Sequence, residues 1–229
     1  MRMNVLVIAV AAALAIAPCA SGTIFLHEDF ENGVVADWAR VGQISGAWGP
    51  SLWHHEDFRQ VSGVYSIAYN TGSPTYNFNI GHNWGMYMSP WVDLSSATDL
   101  QLEFYSWLDA EGDPTFGGRE RSGQASVMYT VLGDPVWYPL PVDPHSMPEE
   151  QWNFFHTDLA GLAGEPLPTR IGFLFDSLDA VDNLYEGWYV DDVTLFDSAT
   201  PPIPEPSTWL LLSTGLLGVG AACRRRFRP

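Results

Sequence analysis

Short segments that alternate apolar and polar residues constrain the fold of this chain more than any other feature. Leu100, Leu102 and Phe104 alternate with polar residues, which is the period of two expected of a half-buried β-strand. Further predicted strands are Ile24–Phe30, Val64–Tyr69, Met86–Val92, Ser126–Leu132, Trp152–Leu159, Arg170–Asp176 and Trp188–Phe196. Turn residues separate these segments, and no long stretch has the helical period. The pattern predicts an all-β antiparallel sandwich of about nine or ten strands.

The region between the two ends of the chain is strongly acidic. Residues 23–203 contain five Arg, no Lys and 26 Asp or Glu, which gives a formal charge of −21. Such a surface repels phosphate backbones, so nucleic acid is not expected as a partner. Carboxylates also offer oxygen ligands to hard cations, although most of them need only solvate the surface. Both cysteines, Cys19 and Cys223, lie outside this region, so the predicted sandwich does not depend on disulfides.

The N-terminal residues 1–22 have the features of a bacterial signal peptide. Arg2 supplies a basic start, and Val5–Ala17 is an unbroken apolar run. Pro18 ends the run before small residues of the kind that signal peptidase recognises. The run is too short for a retained membrane anchor. We therefore expect export across the inner membrane, with cleavage before Thr23.

The C-terminal residues 200–229 consist of a proline-rich linker followed by three parts in a fixed order. The motif Pro204-Glu205-Pro206 comes first, and the apolar run 209–223 follows it. A basic cluster ends the chain: Arg224, Arg225, Arg226 and Arg228. At ~1.5 Å per helical residue the apolar run is marginal for a bilayer of ~30 Å, and its glycines weaken a permanent helix. We expect a transient helix in the inner membrane, with the arginines as a cytoplasmic stop-transfer signal.

This combination resembles the PEP-CTERM sorting signal of Gram-negative bacteria. The resemblance implies processing by an exosortase at or near Pro204, Glu205 and Pro206, in addition to cleavage by signal peptidase. It also implies a final place on the cell surface or in the extracellular matrix, where such proteins accompany exopolysaccharide and biofilm formation. An ordinary tail anchor is the alternative.

The order of motifs in residues 23–199 resembles the MAM-like jelly-roll domains of secreted bacterial proteins. The matching pieces are Asp29–Gly33 with Trp38, Met88–Leu94, Leu100–Trp107, Arg170–Ser177 and Gly187–Val193. The resemblance implies a jelly-roll, concanavalin-like sandwich as the single domain between the two targeting segments. It implies no single activity, because such domains share a fold and not a function.

Four acidic residues near the two ends of the predicted sandwich form a candidate site for structural calcium: Asp29, Glu31, Asp191 and Asp192. The first and last strands of a jelly roll lie near each other, and Ca²⁺ binds about six to eight oxygen ligands. Adjacent residues of a strand point to opposite faces, so at most one of the two aspartates points inward, where an unpaired charge is costly. A bound metal and a network of hydrogen bonds to backbone N–H groups explain this pattern equally well.

Four of the nine tryptophans in the predicted sandwich lie beside loops: Trp48, Trp53, Trp84 and Trp137. Exposed rings stack on sugar faces, so these residues are candidates for glycan binding, although tryptophan also fills sandwich cores. Neither the H-E-x-x-H motif of zinc peptidases nor the G-x-S-x-G motif of serine hydrolases occurs in the sequence. We therefore expect a surface or matrix protein without catalysis. The alternatives are a carbohydrate-binding module for the cell's exopolysaccharide and a secreted hydrolase with an unrecognised site.

Overall fold

The computed structural model describes residues 22–32, 37–49, 51–110, 125–181 and 183–198. These residues form twelve strands, numbered here in chain order. They are β1 (Thr23–Glu28), β2 (Ala39–Ile44), β3 (Ala47–Gly49), β4 (Trp53–Glu56), β5 (Ser66–Tyr69), β6 (Asn83–Met88), β7 (Leu100–Asp109), β8 (Ala125–Val131), β9 (Tyr138–Pro139), β10 (Trp152–Asp158), β11 (Thr169–Asp176) and β12 (Gly187–Asp197). Two short 3₁₀ turns, Pro144–Ser146 and Ala160–Leu162, also occur in this part of the chain. The prediction of an all-β domain is confirmed.

The strands form two antiparallel sheets, which we name sheet A and sheet B. Sheet A has the order β10-β7-β12-β5-β4, and β1 also pairs with β12. Sheet B has the order β3-β2-β6-β11-β8-β9. The first and last strands are therefore neighbours, as expected of a jelly roll. The predicted two-sheet sandwich is confirmed.

The core between the sheets is rich in aromatic side chains. Phe104 and Trp188 of sheet A, and Phe173 and Phe175 of sheet B, have no exposed surface. The ring of Phe173 meets both partners edge to face, with centroids 5.5 Å from Phe104 and 5.7 Å from Trp188. Burying a large apolar side chain contributes about 1.5–3 kcal/mol relative to its exposed state. These contacts therefore hold the two sheets together.

The observed bounds of the strands differ from the predicted ones by a few residues, and in two strands the physical cause is clear. The strand predicted over Val64–Tyr69 begins at Ser66, because the backbone N–H groups of residues 64 and 65 bond to a side chain instead of to a neighbouring strand. The strand predicted over Met86–Val92 is Asn83–Met88. It ends before Pro90, which has no backbone N–H group to donate. Four strands lack a long alternating pattern and are missing from the prediction: β2, β3, β4 and β9.

The predicted targeting segments lie outside the described residues, apart from Gly22. This applies to the signal peptide 1–22 and to the linker, motif, apolar run and arginine cluster of 200–229. In the described part of the chain, no helix is long and apolar enough to cross a membrane. The compact unit that contains both sheets is Gly22–Ala199.

Candidate functional site

Strand β11 shows which side chains of sheet B point away from the core. Ile171, Phe173 and Phe175 belong to the buried core cluster, so Gly172 and Leu174 face outward. Directly paired residues on neighbouring strands share a face, which assigns the outward residues of those strands. They are Ala39, Val41, Gln43, Trp84, Met86, Met88, Ser126, Met128, Thr130 and Pro139. We name this surface the outer face of sheet B.

Two tryptophans form one end of the outer face of sheet B. Trp48 on β3 and Trp84 on β6 both lie opposite Gln43 on β2. Their rings meet edge to face, with centroids 5.6 Å apart, and Trp48 remains 69% exposed. On the other side of Trp84 lies Asp176, whose Oδ1 is 2.9 Å from Nε2 of His82. Open ring surface and polar groups are therefore side by side.

A third tryptophan, Trp137, lies over the middle of the same face. A methyl group on residue 172 would be 2.8 Å from Cζ3 of Trp137 and 2.9 Å from Sδ of Met86. Both distances are shorter than normal contact, so glycine at this position lets the ring and the thioether approach the sheet. Gly172 lies on β11, the direct neighbour of β6, so the ring of Trp137 lies on the same part of the sheet as the strand that carries Trp84.

A cation lies on the same face beside a fourth tryptophan. Arg170 is two residues before Gly172 in β11 and so has the same orientation. Its guanidinium carbon is 4.6 Å from the ring centroid of Trp91, and that ring is 40% exposed. Burial lowers the pKa of the Arg170 guanidinium, which still stays charged at neutral pH. Its Nε is buried and has no hydrogen-bond partner among the described residues.

Trp53 was wrongly predicted to be available to a glycan. Its side chain has no exposed surface, and its Nε1 donates to the carbonyl oxygen of Gly85 at 3.0 Å. Pairing of β4 with β5 places it opposite Tyr69 and turns it into the core, where the two rings meet edge to face. The other three predicted tryptophans lie on the outer face of sheet B: Trp48, Trp84 and Trp137.

The predicted acidic corner lies at a bulge in β12. One edge of β12 is shared by two strands, since β5 pairs with Trp188–Val190 and β1 pairs with Val193–Asp197. The register shifts between these two pairings, and Asp192 has a φ of 50°. Aspartate tolerates this left-handed conformation better than most residues. The bulge places Asp191 and Asp192 where β12 changes partner.

Both aspartates hold the segment between β4 and β5, which we name loop 57–65. Oδ2 of Asp191 accepts hydrogen bonds from the backbone N–H groups of Val61 at 2.8 Å and Ser62 at 3.3 Å. Oδ1 of Asp192 accepts one from the hydroxyl of Ser62 at 2.8 Å. Burial raises the pKa of Asp191 to about 6, and the charge of Asp192 adds to this, while the N–H donors of the loop oppose it.

Glu31 holds the other end of the same loop. Its Oε1 accepts hydrogen bonds from the backbone N–H groups of Val64 and Tyr65, both at 2.7 Å, and Asp29 accepts one from the N–H group of Glu31 at 3.1 Å. The structure thus brings three of the four predicted carboxylates to one loop. The described residues contain no group of three or more His, Cys, Asp or Glu side chains arranged to hold a metal ion. The hydrogen-bond network is present in the structure, and calcium at this corner stays a prediction.

Loop 57–65 covers part of the outer face of sheet A. The guanidinium of Arg59 lies 4.0 Å from the ring centroid of Trp107, and its Nε is 2.6 Å from Glu186. Beneath the loop, Ala68, Trp107 and Tyr189 form a small buried cluster. No comparable loop is described over Trp48 or Trp91, which remain open. Sheet B is therefore the better candidate for binding a ligand.

A cleft of about 260 Å³ lies at one end of the sandwich, beside the 3₁₀ turn Ala160–Leu162. Its described lining contains one carboxylate, that of Asp158, whose Oδ1 accepts a hydrogen bond from the N–H group of Ala160 at 2.7 Å. Most glycoside hydrolases use a pair of carboxylates. The described lining of this cleft therefore gives no support to the hydrolase alternative.

The C-terminal segment is similar to a known family of sorting signals. Residues 202–226 match the PEP-CTERM protein-sorting motif. The matched range contains the motif 204–206 and the apolar run 209–223, so the predicted sorting signal is confirmed. The motif implies an exported protein, transient anchoring in the membrane and exosortase-dependent processing. No curated protein matches the chain as a whole or in part.

Several solved structures resemble the sandwich at low sequence identity. TmCBM61 in complex with β-1,4-galactotriose has 11% identity and a TM-score of 0.47, with 77% of this chain and 99% of that chain covered. The tandem CBM22-1-CBM22-2 domain of Paenibacillus barcinonensis Xyn10C has 13% identity and a TM-score of 0.48, with 82% and 50% covered. The K1 cleaved adhesin domain of Lys-gingipain from Porphyromonas gingivalis has 16% identity and a TM-score of 0.44, with 77% and 99% covered. Similarity at this level assigns no ligand, and the resemblance to MAM-like domains stays a prediction.

Proposed function

We propose that this exported protein binds a glycan, without catalysis, through the outer face of sheet B. One observation carries the proposal: Trp48, Trp84 and Trp137 are far apart in the sequence and lie on one open sheet face. Burial of apolar rings is the usual outcome of folding, so several tryptophans on one outer surface need another reason. A ligand with flat apolar faces provides that reason.

Sugar rings fit the chemistry of this surface. The faces of a pyranose carry C–H groups that stack on aromatic rings, while its hydroxyls need hydrogen-bond partners at the edges. Gln43 lies between Trp48 and Trp84, and the hydrogen-bonded side chains of His82 and Asp176 lie beside them. The face therefore offers ring surface for stacking and amide, imidazole and carboxylate groups for hydroxyls.

The proposal includes a cellular setting for this binding face. Signal peptidase and an exosortase process the two ends, and the sandwich is delivered to the cell surface or extracellular matrix of a Gram-negative bacterium. The glycan partner is then the exopolysaccharide of the cell's own matrix or biofilm. Support for this setting comes from the match at residues 202–226 and from the features of residues 1–22.

Binding to a panel of polysaccharides tests the proposal. The full chain, purified in detergent, is run by affinity gel electrophoresis through gels that contain neutral or acidic polymers. We expect retardation by at least one polymer and a loss of affinity of about tenfold or more in Trp84→Ala and Trp137→Ala, since buried aromatic anchors dominate binding energy. Phe154→Ala is the matched control, because Phe154 is 47% exposed on β10 of the opposite sheet. Equal weakening in all three variants, or retardation by none of the polymers, would contradict the proposal.

A further inference from the structure

Residues 23–203 contain five arginines and 26 acidic residues, and the structure describes three of these arginines: Arg40, Arg59 and Arg170. Arg59 pairs with Glu186, and Arg40 donates to the carbonyl oxygen of Trp53. Arg170 forms no ion pair within the described residues, and its Nε has no acceptor there. Arg40 has a backbone carbonyl in place of a carboxylate, whereas the described contact of the Arg170 guanidinium is the ring of Trp91, which leaves its charge available to a ligand.

We infer that Arg170 and Trp91 form an anion subsite on the outer face of sheet B and that the bound glycan is acidic. The inference rests on the proposed function and names its ligand class, a polysaccharide that carries carboxylates or sulfate esters. Both groups present paired oxygens to a guanidinium, which binds them through two parallel hydrogen bonds.

The position of Arg170 fits a subsite that belongs to the same binding surface. Arg170 lies two residues before Gly172, over which Trp137 packs, so guanidinium and ring are neighbours on the face. A sugar stacked on Trp137 would bring a ring substituent within reach of Arg170. The exposed ring of Trp91 lies against the guanidinium at 4.6 Å and fixes its plane.

The surroundings of Arg170 strengthen a contact with an anion. Part of the side chain is removed from water, so less hydration is lost when a carboxylate or sulfate binds than for a free guanidinium. Residues 23–203 as a whole carry a formal charge of −21 and repel polyanions. Retention of an acidic polymer therefore requires a local cationic contact, because general electrostatic attraction acts in the opposite direction.

Three polymers distinguish the ligand classes in affinity gel electrophoresis of the full chain: alginate carries carboxylates, carrageenan carries sulfate esters, and unsubstituted galactan is neutral. We expect alginate or carrageenan to retard the protein and galactan to retard it at least about tenfold less, the factor of a charge-assisted hydrogen bond. Arg170→Ala should lose this preference, and Arg170→Lys should keep part of it, because the charge remains without the planar fork. Trp91→Ala should weaken it as well.

Asn32→Asp is the matched control, since it lowers the net charge by one, as Arg170→Ala does, at an exposed residue after β1. Thermal melts verify that each variant is folded. Equal retardation by galactan and the acidic polymers, unchanged in Arg170→Ala, would overturn the acidic-glycan inference and leave the proposed function intact. Weakening by Asn32→Asp equal to that by Arg170→Ala would also overturn it. Retardation by no polymer would overturn both.

Discussion

The buried carboxylate of Asp191 makes the stability of the protein depend on pH in a direction opposite to that of most carboxylates. Its pKa is about 6 in the folded protein, against an ordinary value of 3.8. The folded state then holds the proton more tightly than the unfolded state, so the free energy of unfolding falls as pH rises through this interval. At 1.36 kcal/mol per pKa unit, the full effect is about 3 kcal/mol. Above about pH 7 both states are ionised and the effect is constant.

Urea denaturation of the wild-type protein and of Asp191→Asn measures this effect. Between about pH 4.5 and pH 7.5, the free energy of unfolding of the wild type should fall by about 2 kcal/mol more than that of the variant. Glu28 and Asp109 also have pKa values raised by burial, so only the difference between the two proteins isolates Asp191.

Asp93→Asn is the control for this experiment. Hydrogen bonds from Ser95 lower the pKa of Asp93, so this carboxylate makes the folded state more stable as pH rises. Compared with Asp93→Asn, the free energy of unfolding of the wild type should therefore rise with pH. Parallel pH profiles for the wild type and Asp191→Asn would refute the argument that Asp191 is held in a low-dielectric site.

Three further predictions concern the binding face, the core and the acidic corner. Gly172→Val should displace Trp137 and Met86, weaken glycan retardation and cost about 1–3 kcal/mol in urea unfolding; unchanged binding would contradict the role of this glycine. Trp53→Ala should lower the free energy of unfolding by about 3–5 kcal/mol, whereas Trp48→Ala should change it little; equal melting temperatures for the two variants would show that Trp53 is not in the core. If the acidic corner binds calcium, the melting temperature should rise with CaCl₂ relative to EDTA, and Glu31→Gln should abolish the rise. Coincident melting curves for the wild type would remove calcium from consideration.

The fold class could be predicted because sheet strands leave a local signature. Leu100, Leu102 and Phe104 face the core of a half-buried strand, and the period of two follows from the pleat alone. Adjacency of the first and last strands followed from the topology of a jelly roll. The ends of strands were harder to predict. Val64 and Tyr65 are not part of β5 because Glu31, which is far away in sequence, accepts hydrogen bonds from their backbone N–H groups.

The binding face could be predicted only in part, because register decides which side of a sheet a residue occupies. Composition marked Trp48 and Trp53 alike, yet the pairing of β3 exposes one and the pairing of β4 buries the other. Arg170 was not predicted as a site residue, although a signal was present. The alternation in β11 places Arg170 and Gly172 on the side opposite Phe173, and an outward glycine in a strand indicates a close approach from above.

The position of the last two strands has a consequence for how the chain folds. β11 lies between β6 and β8, and β12 lies between β7 and the pair β5 and β1, so each sheet receives an interior strand last. The pairing of Thr23 with Asp197 closes a loop that contains almost the whole domain, and such long-range pairings form slowly. Until residue 197 is available, the edges of β1, β5 and β7 that pair with β12 have no partner and can pair with other chains. Folding therefore waits for the end of the domain, and a chain truncated before β12 should aggregate instead of forming a smaller sandwich.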